Sequence, residues 1–121
     1  MYLTRSCAVA FDAPIPRRFK AEVAATAPAL RRGLAGRRLA AGEGLLMVFP
    51  QEGPQSIWMR GMVIPLDLVF MDAQRRIVKV VENAPPATLT LYEAHARFVL
   101  EVGVGGAKGL KVGQVARFEV L

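Results

Sequence analysis

Asp67 stands in the apolar run Ile64-Pro65-Leu66-Asp67-Leu68-Val69-Phe70. A carboxylate in such a strand is costly to bury unless it is paired. It must face solvent in a cleft or meet a cation, for which Arg60 and Arg32 are the candidates. Two uses follow: a structural pair, or a binding or acid/base group. Trp58 and Arg60 share strand parity in Ile57-Trp58-Met59-Arg60. A guanidinium beside an indole makes a flat cationic surface suited to a sugar or a carboxylate; the plainer alternative puts Trp58 in the core and Arg60 at its rim. Arg97 and Glu101 are four residues apart on one strand face, either bracketing Lys111 or a ligand or forming a surface charge ladder. Asn83, ahead of Ala84-Pro85-Pro86, suits a turn fixed by its side chain. Arg32 can cap a short helix or pair with a carboxylate, and Glu43 can accept from loop amides.

Other chemistries lack their parts. There is one histidine, His95, so a two-histidine metal site is excluded and no metal or cofactor is expected. His95 reads as an exposed loop residue. A Ser-His-Asp set would need Ser6 or Ser56, neither in a nucleophile-elbow context. The lone cysteine, Cys7, forms no internal disulfide and reads as a small hydrophobe in the first strand. Gly103-Val104-Gly105-Gly106 lacks the Lys-Ser/Thr ending of a phosphate loop and reads as a hairpin turn.

The elements that must position these residues are short and punctuated by Gly and Pro. Strands are expected at 3–11, 18–24, 45–49, 56–60, 66–71, 77–82, 96–102 and 114–121, the last with Ala116, Phe118 and Val120 inward. A polar loop is expected at 51–55 and an irregular excursion at 83–93. One short helix is expected over 26–34, with Thr26 as N-cap, Pro28 in the first turn and Gly36 as terminator. The expected fold is mostly β: an antiparallel jelly-roll-like sandwich or barrel of seven to eight short strands with one helix, in a single domain spanning 1–121.

The chain has 121 residues, 53% of them hydrophobic and 21% charged, enough for one core without staples. No apolar run reaches the ~20 residues of a membrane-spanning helix. The net charge is +6; through Arg60 there are nine Lys and Arg against four Asp and Glu, and beyond it seven against six. Such a balance can attract nucleic acid. No aromatic residue interleaves with the arginine pairs as a stacking platform, so a solvated basic surface is the expectation. The N-terminus lacks the long apolar centre of an export signal, which implies a cytoplasmic location if Met1 is the native start.

Seven segments in order carry a family resemblance: RRGLAGR at 31–37, EGLLMVF at 43–49, IWMR at 57–60, IPLDLVFMD at 64–72, ENAPP at 82–86, ARFVLEV at 96–102 and GLKVG at 109–113. Together, over about residues 20–121, they resemble the bacterial and archaeal domain of unknown function (DUF) 192 family. The resemblance implies a mostly β fold of jelly-roll or sandwich type and, for many members, an export signal. It implies no activity. Where that family usually has Met-Lys-Asn-Thr, this chain has Met59-Arg60-Gly61-Met62, so any site built there on Asn and Thr is missing.

The function is therefore unknown from sequence. The leading expectation is a non-catalytic domain binding a small polar or anionic ligand through a cluster drawn from Arg32, Trp58, Arg60, Asp67, Asn83 and Glu101. The alternative is a carboxylate-based enzyme using Asp67 or Glu101 as general base. A basic protein- or nucleic-acid-interaction module is third. Nothing specifies an oligomeric state.

Overall fold

A computed structural model describes residues 5–12 and 14–121. Seven strands and one helix follow in chain order: β1 (Ser6–Phe11), β2 (Arg17–Ala24), α1 (Ala27–Arg32), β3 (Glu43–Ile57), β4 (Leu66–Met71), β5 (Ile77–Ala84), β6 (Tyr92–Gly103) and β7 (Arg117–Val120). They form one sheet in the order β5-β4-β6-β3-β2-β1-β7, curled into a half-barrel. The mostly β character and the single short helix match expectation. All neighbours are antiparallel except β2 and β3. That pair is parallel because residues 25–42, carrying α1, return the chain to the end from which β2 started.

Alternation along the strands sends side chains to two faces. Val9, Phe11, Phe19, Ala21, Leu46, Val69, Met71, Ile77, Leu100 and Val102 form one buried cluster. Val9 and Ile77 come from opposite ends of the strand order, so only a sheet curled on itself brings them together, and this face is its concave interior. The edges also approach each other. Ile77 N–H donates to the Gln114 carbonyl (2.8 Å), Gly113 N–H to that of Ile77 (2.9 Å), and Ala116 N–H to that of Arg75 (2.9 Å). The opposite face carries Leu45, Met47, Leu66, Leu68, Phe70 and Val99. It is covered by Leu34, Met59 and Met62, with Ala29, Leu30 and Leu39 beside them.

Several sequence expectations shift. The loop foreseen at 51–55 is strand: β3 runs on through Pro50 and Pro54, with a register break between Val48 and Gly53. Among the described residues β3 pairs only with β6 beyond Met47, so its prolines lie along a free edge where no N–H is required. The strand expected at 56–60 stops at Ile57, leaving Trp58 and Arg60 in the connection to β4. α1 ends at Gly33, not Gly36. Thr26 Oγ1 caps it by accepting from Ala29 N–H (3.3 Å), and Gly33 adopts φ 50, ψ −129. Asn83 lies within β5, and His95 within β6, where it is exposed as foreseen. Val120, expected inward, is 96% exposed, because β7 is the last strand of the sheet and no further strand pairs with it among the described residues. The foreseen start of β1 at Leu3, and Ala13 of the following turn, lie outside the described residues.

Candidate functional site

The six candidate residues fall into three separate groups. Asp67 shares the parity of Val69 and Met71, so its side chain points to the concave face, where it is fully buried. It meets neither Arg60 nor Arg32. Three backbone N–H groups converge on it instead: Asn83 donates to Oδ1 (2.8 Å), and Gly105 and Ala107 donate to Oδ2 (both 3.0 Å). The turn at 104–109 thus cradles a carboxylate of its own chain. Asn83 contributes its backbone rather than a turn-fixing side chain; at φ 55 it adopts a left-handed conformation that asparagine tolerates. Asp67 and Asn83 form a structural unit that ties β4, β5 and the turn after β6 together, which withdraws Asp67 as a general base.

Glu101 has the opposite parity. It lies across from Leu45 of β3 and Leu68 of β4, on the face covered by α1 and its following loop. It is 3% exposed, and its Oε1 has no hydrogen-bond partner among the described residues. Gly33 passes directly above it: a Cβ there would lie 3.6 Å from Oε1. Burial pushes the Glu101 carboxyl up to about 7. Next along this face beyond Leu45 is Glu22, held by Arg37 at 2.7 Å. Arg32, adjacent to Gly33, is exposed in the last turn of α1 and forms no ion pair among the described residues. Arg97 does not join Glu101 around Lys111: its Nε donates to the Phe49 carbonyl and its guanidinium lies over Phe98. Glu43 accepts from Ala40 N–H (2.9 Å), the loop role foreseen for it.

Trp58 and Arg60 form the third group. The indole is 45% exposed, so the core alternative fails, and the Arg60 guanidinium sits 5.4 Å from its ring centroid. The backbone beneath is anchored: Ile57, Met59 and Met62 are buried, Ala87 N–H donates to the Met59 carbonyl, and Gly36 N–H donates to that of Gly61 (both 2.9 Å).

Sequence reasoning missed two other places. An open groove of about 540 Å³ is lined by Glu52, Asp72, Lys79, Glu93 and His95. Its polar groups are largely engaged: Glu52 accepts from Ala73 N–H (2.7 Å) and meets His95 Nε2 (3.3 Å), Asp72 accepts from Gln74 and Arg76 N–H, and Lys79 donates to the Glu93 carbonyl. The described residues hold no group of three His, Cys, Asp or Glu placed for a metal ion. A smaller groove gathers Arg17, Arg18 and Arg117. Only the Arg17-Arg18 pair was visible in sequence; Arg117 arrives through the β1–β7 pairing.

Comparison with known proteins places this architecture. The protein is similar to a protein of unknown function from Novosphingobium aromaticivorans DSM 12444, at 28% identity and a TM-score of 0.86, covering 94% of this chain and 84% of that one. It is also similar to a proposed transcription regulator from Sinorhizobium meliloti 1021, at 25% identity and a TM-score of 0.83, covering 98% and 95%. No curated protein matches the chain. The family model for DUF192, described as an uncharacterised ACR, matches residues 9–118. The chain therefore belongs to the DUF192 family, whose function is unknown.

Proposed function

We propose that the protein is a non-catalytic binding module for a small polar or anionic ligand, received on the surface formed by Trp58 and Arg60. The observation that carries this reading is the exposed indole with a guanidinium over it, on a connection anchored by the buried Met59 and Met62. Such a backbone holds its outward side chains in place before a ligand arrives, which lowers the ordering cost of binding. A sugar face or a planar carboxylate can stack on the indole while Arg60 supplies charge-assisted hydrogen bonds. Titration with sugars and with mono- and dicarboxylates should change the Trp58 emission, the only tryptophan signal in the chain. Arg60→Ala should abolish the response to anions. Silence across the whole panel sinks the proposal.

One observation favours a second reading, that of an enzyme. Glu101, with a carboxyl that titrates near neutral pH, has the property of a general acid or base. It lies beneath α1 and Gly33, so a substrate would reach it only if that cover lifts. In a screen of hydrolytic and isomerising reactions, activity lost in Glu101→Gln, with a pH profile breaking near 7, would support this reading. Activity unchanged in that variant would remove it.

A further inference from the structure

Three connections, residues 33–42, 58–65 and 85–91, are joined to one another by hydrogen bonds. Gly36 N–H donates to the Gly61 carbonyl and Ala87 N–H to that of Met59 (both 2.9 Å). Leu34, Met59 and Met62 turn inward from them and join the core on the outer face of the sheet. Four apolar side chains do not. Trp58, Val63, Leu89 and Leu91, all on the second and third connections, are each between 45% and 69% exposed. Ile57 pairs with Tyr92 where β3 ends and β6 begins, so Trp58 and Leu91 are the next positions across from each other. The three connections contain no Asp or Glu; the flanking Glu43, Glu82 and Glu93 belong to strands. Their cations are Arg37, Arg38 and Arg60. Glu22 holds Arg37 (2.7 Å), whereas Arg38 and Arg60 meet no carboxylate among the described residues. The surface is apolar and cationic at once.

We propose that this surface docks on an anionic lipid bilayer, with Trp58, Leu89 and Leu91 entering the headgroup boundary while Arg38 and Arg60 meet lipid phosphates. It rests on the reading of Trp58 and Arg60 as a recognition surface and names what presents the anion. An indole has an apolar body and one N–H donor, which suits it to the boundary between water and acyl chains. Exposed leucines lose their contact with water there, and each arginine near anionic headgroups adds about fivefold in affinity. A second copy of the chain is a poor occupant, because it would set the unpaired arginines of two chains of charge +6 against each other. An extended peptide needs a strand edge or a row of pockets, and these side chains stand on loops. Among the described residues no helix is long and apolar enough to cross a membrane, so the contact is a reversible one at the lipid surface.

The test mixes the full chain with vesicles of phosphatidylcholine, alone or blended with phosphatidylglycerol, and reads co-sedimentation and the emission of Trp58, the only tryptophan. Binding to the anionic vesicles is expected, with a blue-shifted emission that brominated acyl chains quench and an affinity that falls as salt rises. Arg60→Ala should weaken binding about fivefold. Leu89→Ser combined with Leu91→Ser should weaken it by about tenfold or more. These side chains are exposed, so the variants keep the fold, and an unchanged urea midpoint verifies it. Val120→Ser, at an exposed apolar side chain on β7, should bind as the wild type does. The proposal fails if phosphatidylglycerol vesicles do not bind, if the double serine variant binds unchanged, or if Val120→Ser weakens binding as much. A Trp58 response to polyglutamate without vesicle binding would assign the surface to an acidic protein instead. A response to soluble carboxylates or sugars without vesicle binding overturns the lipid surface and leaves the small-ligand reading standing. Vesicle binding with silence to those solutes does the reverse.

Discussion

Glu101 is a buried carboxyl whose Oε1 no described residue satisfies, and its proton is therefore part of the fold. Its folded value of about 7 lies above the ordinary 4.5. Between those values the folded chain keeps a proton that the unfolded chain has lost, so stability declines as pH rises through that window. At 1.36 kcal/mol per unit the full loss is about 3 kcal/mol, complete once the pH exceeds 7. Glu101→Gln cannot ionise. Its stability relative to wild type should rise by about 3 kcal/mol between pH 4.5 and 8 in urea unfolding, and a flat difference would show that Glu101 ionises freely in the folded state. Asp67 was legible in sequence as a carboxylate interrupting an apolar run, whereas Glu101 was singled out only as sharing a strand face with Arg97, and its burial was not foreseen. The partners of Asp67 were not legible. Asp67 is met by amides from residues 83, 105 and 107, and an amide has no side-chain type to betray it. Arginine, the visible donor, was the natural expectation and the wrong one.

Elements with strong end signals were readable, and those whose ends depend on pairing were not. Thr26 and Pro28 marked the start of α1 correctly, and β4 was bounded as foreseen because six buried residues run between a proline and an aspartate turn. β3 was cut at Pro50 because proline argues against a strand. Only the free edge beyond Met47 makes it tolerable, and that edge is a property of the sheet order. Gly36 was expected to end α1, and Gly33 ends it instead; both have positive φ in the structure. They are not equally demanding. Gly36, at φ 73, lies in a region that other residues enter at a cost of about 1 kcal/mol. Gly33, at φ 50 and ψ −129, lies outside it and also faces the Glu101 carboxyl. Gly33→Ala should therefore destabilise by about 2 kcal/mol or more and Gly36→Ala by about 1. Equal losses in denaturant unfolding would mean that the backbone above Glu101 relaxes without strain.

At the scale of the whole molecule, composition and alternation indicated a mostly β chain with one core-forming face per strand. The order of the strands was beyond them. One parallel pair and the approach of β5 to the segment before β7 arise from contacts far apart in sequence, which period-2 patterning does not encode. That approach turns a curled sheet into a nearly closed one. Its hinge point is Ile77, fully buried in the concave cluster, with its backbone bonded to both Gly113 and Gln114. Removing its side chain empties the cluster at the place where the two edges meet, whereas β7's Val120 is 96% exposed. Ile77→Ala should cost about 3 kcal/mol and speed hydrogen exchange at Gly113 and Ala116 beyond the effect of lower global stability. Val120→Ala should change stability by less than about 0.5 kcal/mol. If exchange in Ile77→Ala accelerates uniformly over all strands, closure and sheet unfold as one unit. If it accelerates first at 113–116, the half-barrel opens along this seam while the β1–β2 and β3–β6 pairings persist, and the edge contact is a separable, weaker part of the fold.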